Sequence, residues 1–212
     1  MIRIEVDYKI SSDLAAIIKD RIKGYILDVG TGDGSKLYHL LEGSKFKKAV
    51  ALEPDSSKID SAKKLFKKDA RVKLINTDLK HMPRQIGQFD LVMMFEVIEH
   101  IPLALLDGYI RRIRGLLVKG GIIIVSSPNR YIYRMICNLK LEKRESTHVS
   151  EMNWLELRRF MKNYFKEQVF KGEFPGMSIT RRFPVFYNYF SLLNKNFAHP
   201  AVSRAIYWVG EK

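Results

Sequence analysis

ILDVGTGDG, residues 26–34, is the stretch whose reading decides the fold. Apolar residues run into Asp28, and glycines then fall at Gly30, Gly32 and Gly34. A short apolar strand that ends in an acid and breaks into a glycine bend marks the first strand-to-helix turn of an open α/β sheet. Ligands of such sheets bind at that carboxyl edge. Glycine permits the positive-φ turn and removes the Cβ that would hold a ligand off the backbone. The spacing is D-x-G-x-G-x-G; Ser35 stands where the G-x-G-x-x-G dinucleotide motif has its third glycine. Asp33, inside the bend, would also repel a pyrophosphate. An NAD-dependent oxidoreductase is therefore disfavoured.

Outward from the bend, short apolar runs alternate with helix patterns. GYILDVG (24–30), KAVALEP (48–54), RVKLINTD (71–78), FDLVMMFE (89–96) and GGIIIVSSP (120–128) are each bounded by charge, Gly or Pro. Their continuous hydrophobicity suits parallel strands covered on both faces. Helices are expected over 35–43, closing at a glycine, over 56–69 from a serine cap, and over 103–121, again closing at glycine. Beyond Asn129 the pattern changes. Residues 130–152 read as basic and irregular, 153–165 as an amphipathic helix, and 166–174 and 205–212 as late strands. The interval 175–200 is aromatic-rich, with a local helix expected over 186–196. The fold class predicted is α/β: a Rossmann-like, doubly wound, mostly parallel seven-stranded sheet with helices on both faces and a C-terminal aromatic and basic insertion. No linker interrupts the chain, so 1–212 is read as a single domain, with 24–129 as ligand-binding core and 130–212 as acceptor-specificity region and last strands.

The totals narrow the class of protein. At 212 residues and 46% hydrophobic, the chain can bury one sizeable core, and no apolar run reaches the ~18 residues of a membrane span. The start, MIRIEVDYKISSD, lacks the pattern of a signal peptide, and Cys137 is the sole cysteine, so no internal disulfide forms; the cytoplasm is the expected location. The net charge of +14 is spread along the chain and favours anionic partners.

Two further acids define the ligand. Glu53 closes the second strand, where a carboxylate accepts both hydroxyls of a ribose. Asp78 closes the third, placed to accept from an adenine amino group with Leu79 against the ring. Nothing in the pattern favours a second phosphate group. A ligand carrying a sulfonium and an ammonium suits Asp28 and Asp33, and S-adenosylmethionine is such a ligand.

At this point the chain resembles the class I S-adenosylmethionine-dependent methyltransferases, over roughly residues 24–129. LDVGTGDG looks like their glycine-rich first motif, ALEPD their acidic second and NTDLKHMP their third. FDLVMMFEVIEHIP (89–102) is similar to the fourth-strand motif of the branch that includes ubiquinone-pathway O-methyltransferases, and LLVKGGIIIVSSPN (116–129) to their fifth-strand segment. The resemblance implies that Asp28, Gly30, Thr31, Gly32 and Gly34 hold the methionine end of S-adenosylmethionine and Glu53 with Pro54 the ribose. It places Asp78 and Leu79 at the adenine and Phe95 as one wall.

Within EVIEH, a helix would set Glu96, Glu99 and His100 on one face at i, i+3, i+4. Two carboxylates and an imidazole can hold a divalent metal, with His148 of STHVSE as a fourth ligand, and such a metal would orient and acidify a vicinal diol or catechol. Small-RNA 3′-end 2′-O-methyltransferases and ubiquinone-type O-methyltransferases both show a similar E-x-x-E-H. Spacing alone does not bring four ligands together, so no metal is assigned; His100 and Glu96 are assigned to catalysis, His100 as general base or acceptor-orienting residue. The acceptor expected is a small or lipophilic hydroxylated molecule, methylated on oxygen. RNA bound through the basic surface is the alternative, and a methyltransferase-like binding subunit without catalysis is the alternative of another class.

Overall fold

The computed structural model describes residues 24–42, 44–83, 85–173 and 199–212. The expected helix over 186–196 and the glycine stop at Gly43 lie outside these residues. Seven strands form one sheet in the order β3-β2-β1-β4-β5-β7-β6. They are β1 (Tyr25–Val29), β2 (Lys48–Leu52), β3 (Val72–Ile75), β4 (Phe89–Phe95), β5 (Leu117–Pro128), β6 (Lys166–Glu173) and β7 (Ala205–Glu211). The strand order runs outward from β1 through β2 to β3, then turns back through β4, which is the doubly wound arrangement of a Rossmann-like α/β fold.

By internal contacts the chain gathers into two compact units, one running to Phe95 with Arg112–Ile123 and Lys212, the other Glu96–Arg111 with Ile124–Glu211. In the first unit, β1 pairs in parallel with β2 (Asp28 opposite Ala51) and with β4 (Asp28 opposite Met93), and β2 pairs in parallel with β3. All of β1 and β2 beyond their first residues is buried, as the unbroken apolar runs require. Helix α1 (Ser35–Leu41) leaves the glycine bend, and α2 (Ser56–Leu65) follows β2. The cap of α2 is Asp55 rather than the expected serine: its carboxylate accepts from the Ser57 and Lys58 amides at 2.8 and 3.3 Å.

Helix α3 (Leu103–Leu116) stops five residues short of the expected Gly121. The VKGG stretch is drawn into β5 instead. The Gly120 amide donates to the Lys212 carbonyl, and the Lys212 amide donates to that of Gly121. Gly120 takes φ 75°, and a Cβ at Gly121 would come within 2.9 Å of the Val118 carbonyl oxygen. These glycines serve the strand start, not a helix cap.

In the second unit, residues 130–138, read from sequence as irregular, form helix α4 (Arg130–Asn138). It buries Tyr133 and Ile136, while Tyr131 and Met135, and Leu139 at its C-cap, stay exposed. Helix α5 (Trp154–Lys162) opens on a capping box, Asn153 accepting from the Glu156 amide and Glu156 accepting from the Asn153 amide. Strands β6 and β7 pair antiparallel, with Phe170 opposite Trp208. Among the described residues no helix is long and apolar enough to cross a membrane.

Candidate active site

In the first unit the glycine bend leaves β1 beside β4, where the strand order reverses. Gly30, Gly32 and Gly34 all have positive φ (73°, 60° and 83°). The Gly30 and Thr31 amides donate to the Leu52 carbonyl at 2.8 and 2.9 Å, which anchors the bend to the end of β2. The three glycines divide into different roles. A Cβ on Gly34 would lie 3.0 Å from both Ala62 Cβ and Phe66 Cε2, so this glycine lets α1 pack against α2. A Cβ on Gly32 would meet nothing within 4 Å. Its bare backbone faces open space, as a ligand cradle must.

Glu53 is buried and holds this cradle in shape. Its Oε2 accepts from the Gly32 amide at 2.8 Å and its Oε1 from the Asp55 amide at 3.0 Å. Each carboxylate oxygen has a second lone pair, which leaves capacity for ribose hydroxyls. Asn76 Nδ2 donates to the Glu53 and Pro54 carbonyls at 2.7 and 2.9 Å, tying the end of β3 to the same corner. Asp28 is 3% exposed, and burial, with the Glu53 charge adding, pushes its carboxyl up to about 6. A buried carboxylate so destabilised gains from a cationic ligand. Asp33 stays exposed and accepts from the Ser35 amide at 3.0 Å, so it also starts α1.

Asp78 is half-exposed, with its Oδ1 accepting from the His81 amide and meeting His81 Nδ1, both at 2.8 Å. Leu79 is buried, and Arg112 donates to its carbonyl at 2.8 Å and to that of Met82 at 2.5 Å, pinning the turn that carries Asp78 and Leu79. Phe95 ends β4, half-buried, with Lys36 Nζ 5.7 Å from its ring centroid. Asn76, Arg112 and Lys36 were not singled out in the sequence. Their partners lie 22 to 33 residues away for Asn76 and Arg112, beyond any local pattern. The open cradle at Gly32 and the buried, partly satisfied Glu53 fit an adenosyl ligand carrying positive charge.

The EVIEH residues lie in the second unit and do not form the expected helix. Glu96 takes φ 55°, a left-handed conformation that breaks the chain direction, and only Ile98–His100 make a 3₁₀ turn. The Glu96 amide donates to the Ser126 carbonyl at 3.1 Å, and Ser126 Oγ donates to Glu96 Oε1 at 2.7 Å. Glu96 is thereby tied to the end of β5, and its charge still acts on His100. Glu99, His100 and His148 do come together: one ligand atom of each lies within 4.8 Å of the others. Backbone stitching explains it. The Val149 and Ser150 amides donate to the Glu99 carbonyl at 2.9 and 3.0 Å, and Ser150 Oγ donates to the Ile98 carbonyl at 3.1 Å. These bonds lay the loop containing His148 against the 3₁₀ turn. Glu99 is wholly buried, with His148 Nε2 4.0 Å from its Oε1. Burial, and the neighbouring His148, hold His100 below the usual imidazole range. One carboxylate oxygen and two imidazole nitrogens are a donor set that suits a divalent transition metal.

A doubly wound sheet with a glycine bend and a buried acid closing the neighbouring strand at its switch point is the arrangement at which open α/β folds bind their ligands. Residues 26–121 match the family described as "Methyltransferase domain". Over these residues the chain carries a methyltransferase domain, in accord with a class I S-adenosylmethionine-dependent methyltransferase, and the oxidoreductase reading is set aside. No curated protein matches it in sequence. Similar solved structures include an S-adenosylmethionine-dependent methyltransferase from Clostridium acetobutylicum (14% identity, TM-score 0.72, covering 100% of this chain and 94% of that one). The N-methyltransferase NodS from Bradyrhizobium japonicum, in complex with S-adenosyl-L-homocysteine, is similar at 12% identity and TM-score 0.64, covering 95% and 86%. The small RNA methyltransferase HEN1 is similar at 15% identity and TM-score 0.67, covering 93% of this chain and 25% of that one. These likenesses carry the fold. They do not single out the ubiquinone-type branch.

Proposed function

We propose that this methyltransferase acts on oxygen, on a small or lipophilic acceptor bearing adjacent hydroxyls, with a divalent cation held by Glu99, His100 and His148. The observation that carries the reading is the convergence of those three side chains to within 4.8 Å from positions up to 49 residues apart. A cation bound there would supply Lewis acidity, lowering the pKa of a coordinated hydroxyl toward neutrality. S-adenosylmethionine, when bound, supplies a methyl on sulfonium that is displaced in line and leaves a neutral thioether. The chain's own part is alignment and charge. Asp28 offers a buried carboxylate to the cationic end, Gly32 lets it approach, and Glu53 and Asp78 fix the ribose and adenine. His100, held neutral, can ligate or accept the hydroxyl proton. Glu96, tied to Ser126, orients the chain as it leaves β4.

RNA is the second reading. It is favoured by the net charge of +14 and by the likeness to the small RNA methyltransferase HEN1, and a 3′-terminal ribose carries the same adjacent hydroxyls. Transfer of labelled methyl into a fractionated extract separates the two: label in the small-molecule or lipid fraction supports the first, label in RNA with strong salt dependence supports the second. Label confined to protein overturns both.

Chelation followed by dialysis is expected to abolish transfer, and His148→Ala to lower it by more than the roughly 10–100-fold typical of changes around a metal's ligands. S-adenosylmethionine binding, measured by calorimetry, should be unchanged in both cases. Full activity after chelation removes the cation from the mechanism.

A further inference from the structure

His148 sits between two carboxylates, and which of its nitrogens carries the proton decides what it can do. Its Nδ1 lies 3.4 Å from Glu151 Oε1 and its Nε2 4.0 Å from Glu99 Oε1. We propose that Glu151 is a positioning residue: it receives the Nδ1–H of His148 and so turns the Nε2 lone pair toward Glu99 and His100. This rests on the reading of that trio as a cation site.

The surroundings of Glu151 make it a partner for the ring rather than a ligand itself. Its side chain is 1% exposed, and Arg134 Nε donates to its Oε2 at 2.7 Å, with Arg144 Nη2 3.9 Å away. The guanidinium balances the buried charge and occupies one oxygen. The other oxygen, Oε1, and His148 Nδ1 are both buried and without another hydrogen-bond partner among the described residues, so a small ring rotation joins them. The opposite tautomer would point a bare Nδ1 lone pair at a carboxylate. A ligating histidine whose far N–H is held by a carboxylate keeps its tautomer and orientation and gains basicity. Two further features hold the ring. Tyr133 packs on it at 5.4 Å between centroids and is itself fixed by accepting from the Glu145 amide at 2.9 Å; His100 meets it edge-on at 4.8 Å. Sequence spacing hides all of this, because Arg134, Glu151 and Glu99 come from three separate segments.

The test is ¹⁵N-histidine NMR on the full, metal-free chain near neutral pH, with His148 assigned by its loss in His148→Gln. The expected wild-type pattern is a protonated Nδ1 and a lone-pair Nε2. In Glu151→Gln, Arg134 claims the amide oxygen, the NH₂ faces Nδ1, and the tautomer should reverse. Calorimetric titration of Mn²⁺ should then show affinity falling by about 10–100-fold in Glu151→Gln. Arg134→Met, which leaves the carboxylate in place, should keep the wild-type tautomer. A lone-pair Nδ1 in the wild type overturns the proposal. So does Mn²⁺ binding in Glu151→Gln as tight as in wild type. A wild type with the expected tautomer that binds no Mn²⁺ would instead overturn the cation site, leaving the hold of Glu151 on His148 intact.

Discussion

Gly32→Leu is expected to give a folded protein that no longer binds S-adenosylmethionine, while Gly34→Leu, two residues on, is expected to destabilise the fold itself. Both positions have left-handed φ, so a side chain at either costs ~1–2 kcal/mol of backbone strain. The difference lies in what the new atoms meet. At Gly32 the new Cβ meets nothing within 4 Å and points into the open space assigned to the cofactor. At Gly34 they meet Ala62 and Phe66 at 3.0 Å, and overpacking of that kind adds ~1–3 kcal/mol. Thermal unfolding and calorimetry on the two variants read the contrast. Gly32→Leu should melt close to wild type without cofactor heat. Gly34→Leu should melt well below it. Equal melting points would mean that the packing role assigned to Gly34 is wrong.

Asp28→Asn should separate stability from binding, through pH. Burial pushes this carboxyl up to about 6, from the 3.8 ordinary for an aspartate. A group whose pKa rises on folding contributes stability that is complete below the unfolded value and is lost as pH climbs through the folded one. The cofactor-free wild type therefore gives up about 2 kcal/mol between pH 4 and pH 7 on account of this residue, at ~1.36 kcal/mol per unit. Asparagine does not ionise. The variant, without cofactor, should lack that component of the pH dependence and gain relative stability above pH 6. It should also bind the cationic cofactor far more weakly, because the charge that offsets the sulfonium and ammonium is gone. Wild-type affinity should fall as pH drops below 6, when the cofactor must compete with a proton. Denaturant unfolding at several pH values, paired with calorimetry, measures each part. Parallel pH–stability curves for the two proteins would remove Asp28 from this role.

What could be read from the sequence was local. The acid-and-glycine bend, the acids closing β2 and β3, and the parallel strands are written in runs of a few residues, because a buried parallel strand is continuous in its hydrophobicity. Where the reading went astray, tertiary pairing overrode a local signal. The spacing of Glu96, Glu99 and His100 suits a helix, yet Ser126 draws Glu96 into a left-handed turn. Two glycines that look like a helix cap are taken by strand pairing with Lys212. Helix α4 leaves two of its apolar residues, Tyr131 and Met135, exposed among its basic ones. Glu151, Arg134 and Arg112 gain meaning only from partners far along the chain, and no periodicity announces them. His148 was visible as a candidate ligand, but its arrival beside Glu99 depends on the backbone bonds of Val149 and Ser150.

Titration of S-adenosylmethionine into the full chain by calorimetry, with wild type and Gly32→Leu side by side, puts the glycine cradle to the most direct test. Saturable one-site heat in the wild type and none in a folded Gly32→Leu is the result this account predicts. No heat in the wild type, or equal heat in both, would contradict it.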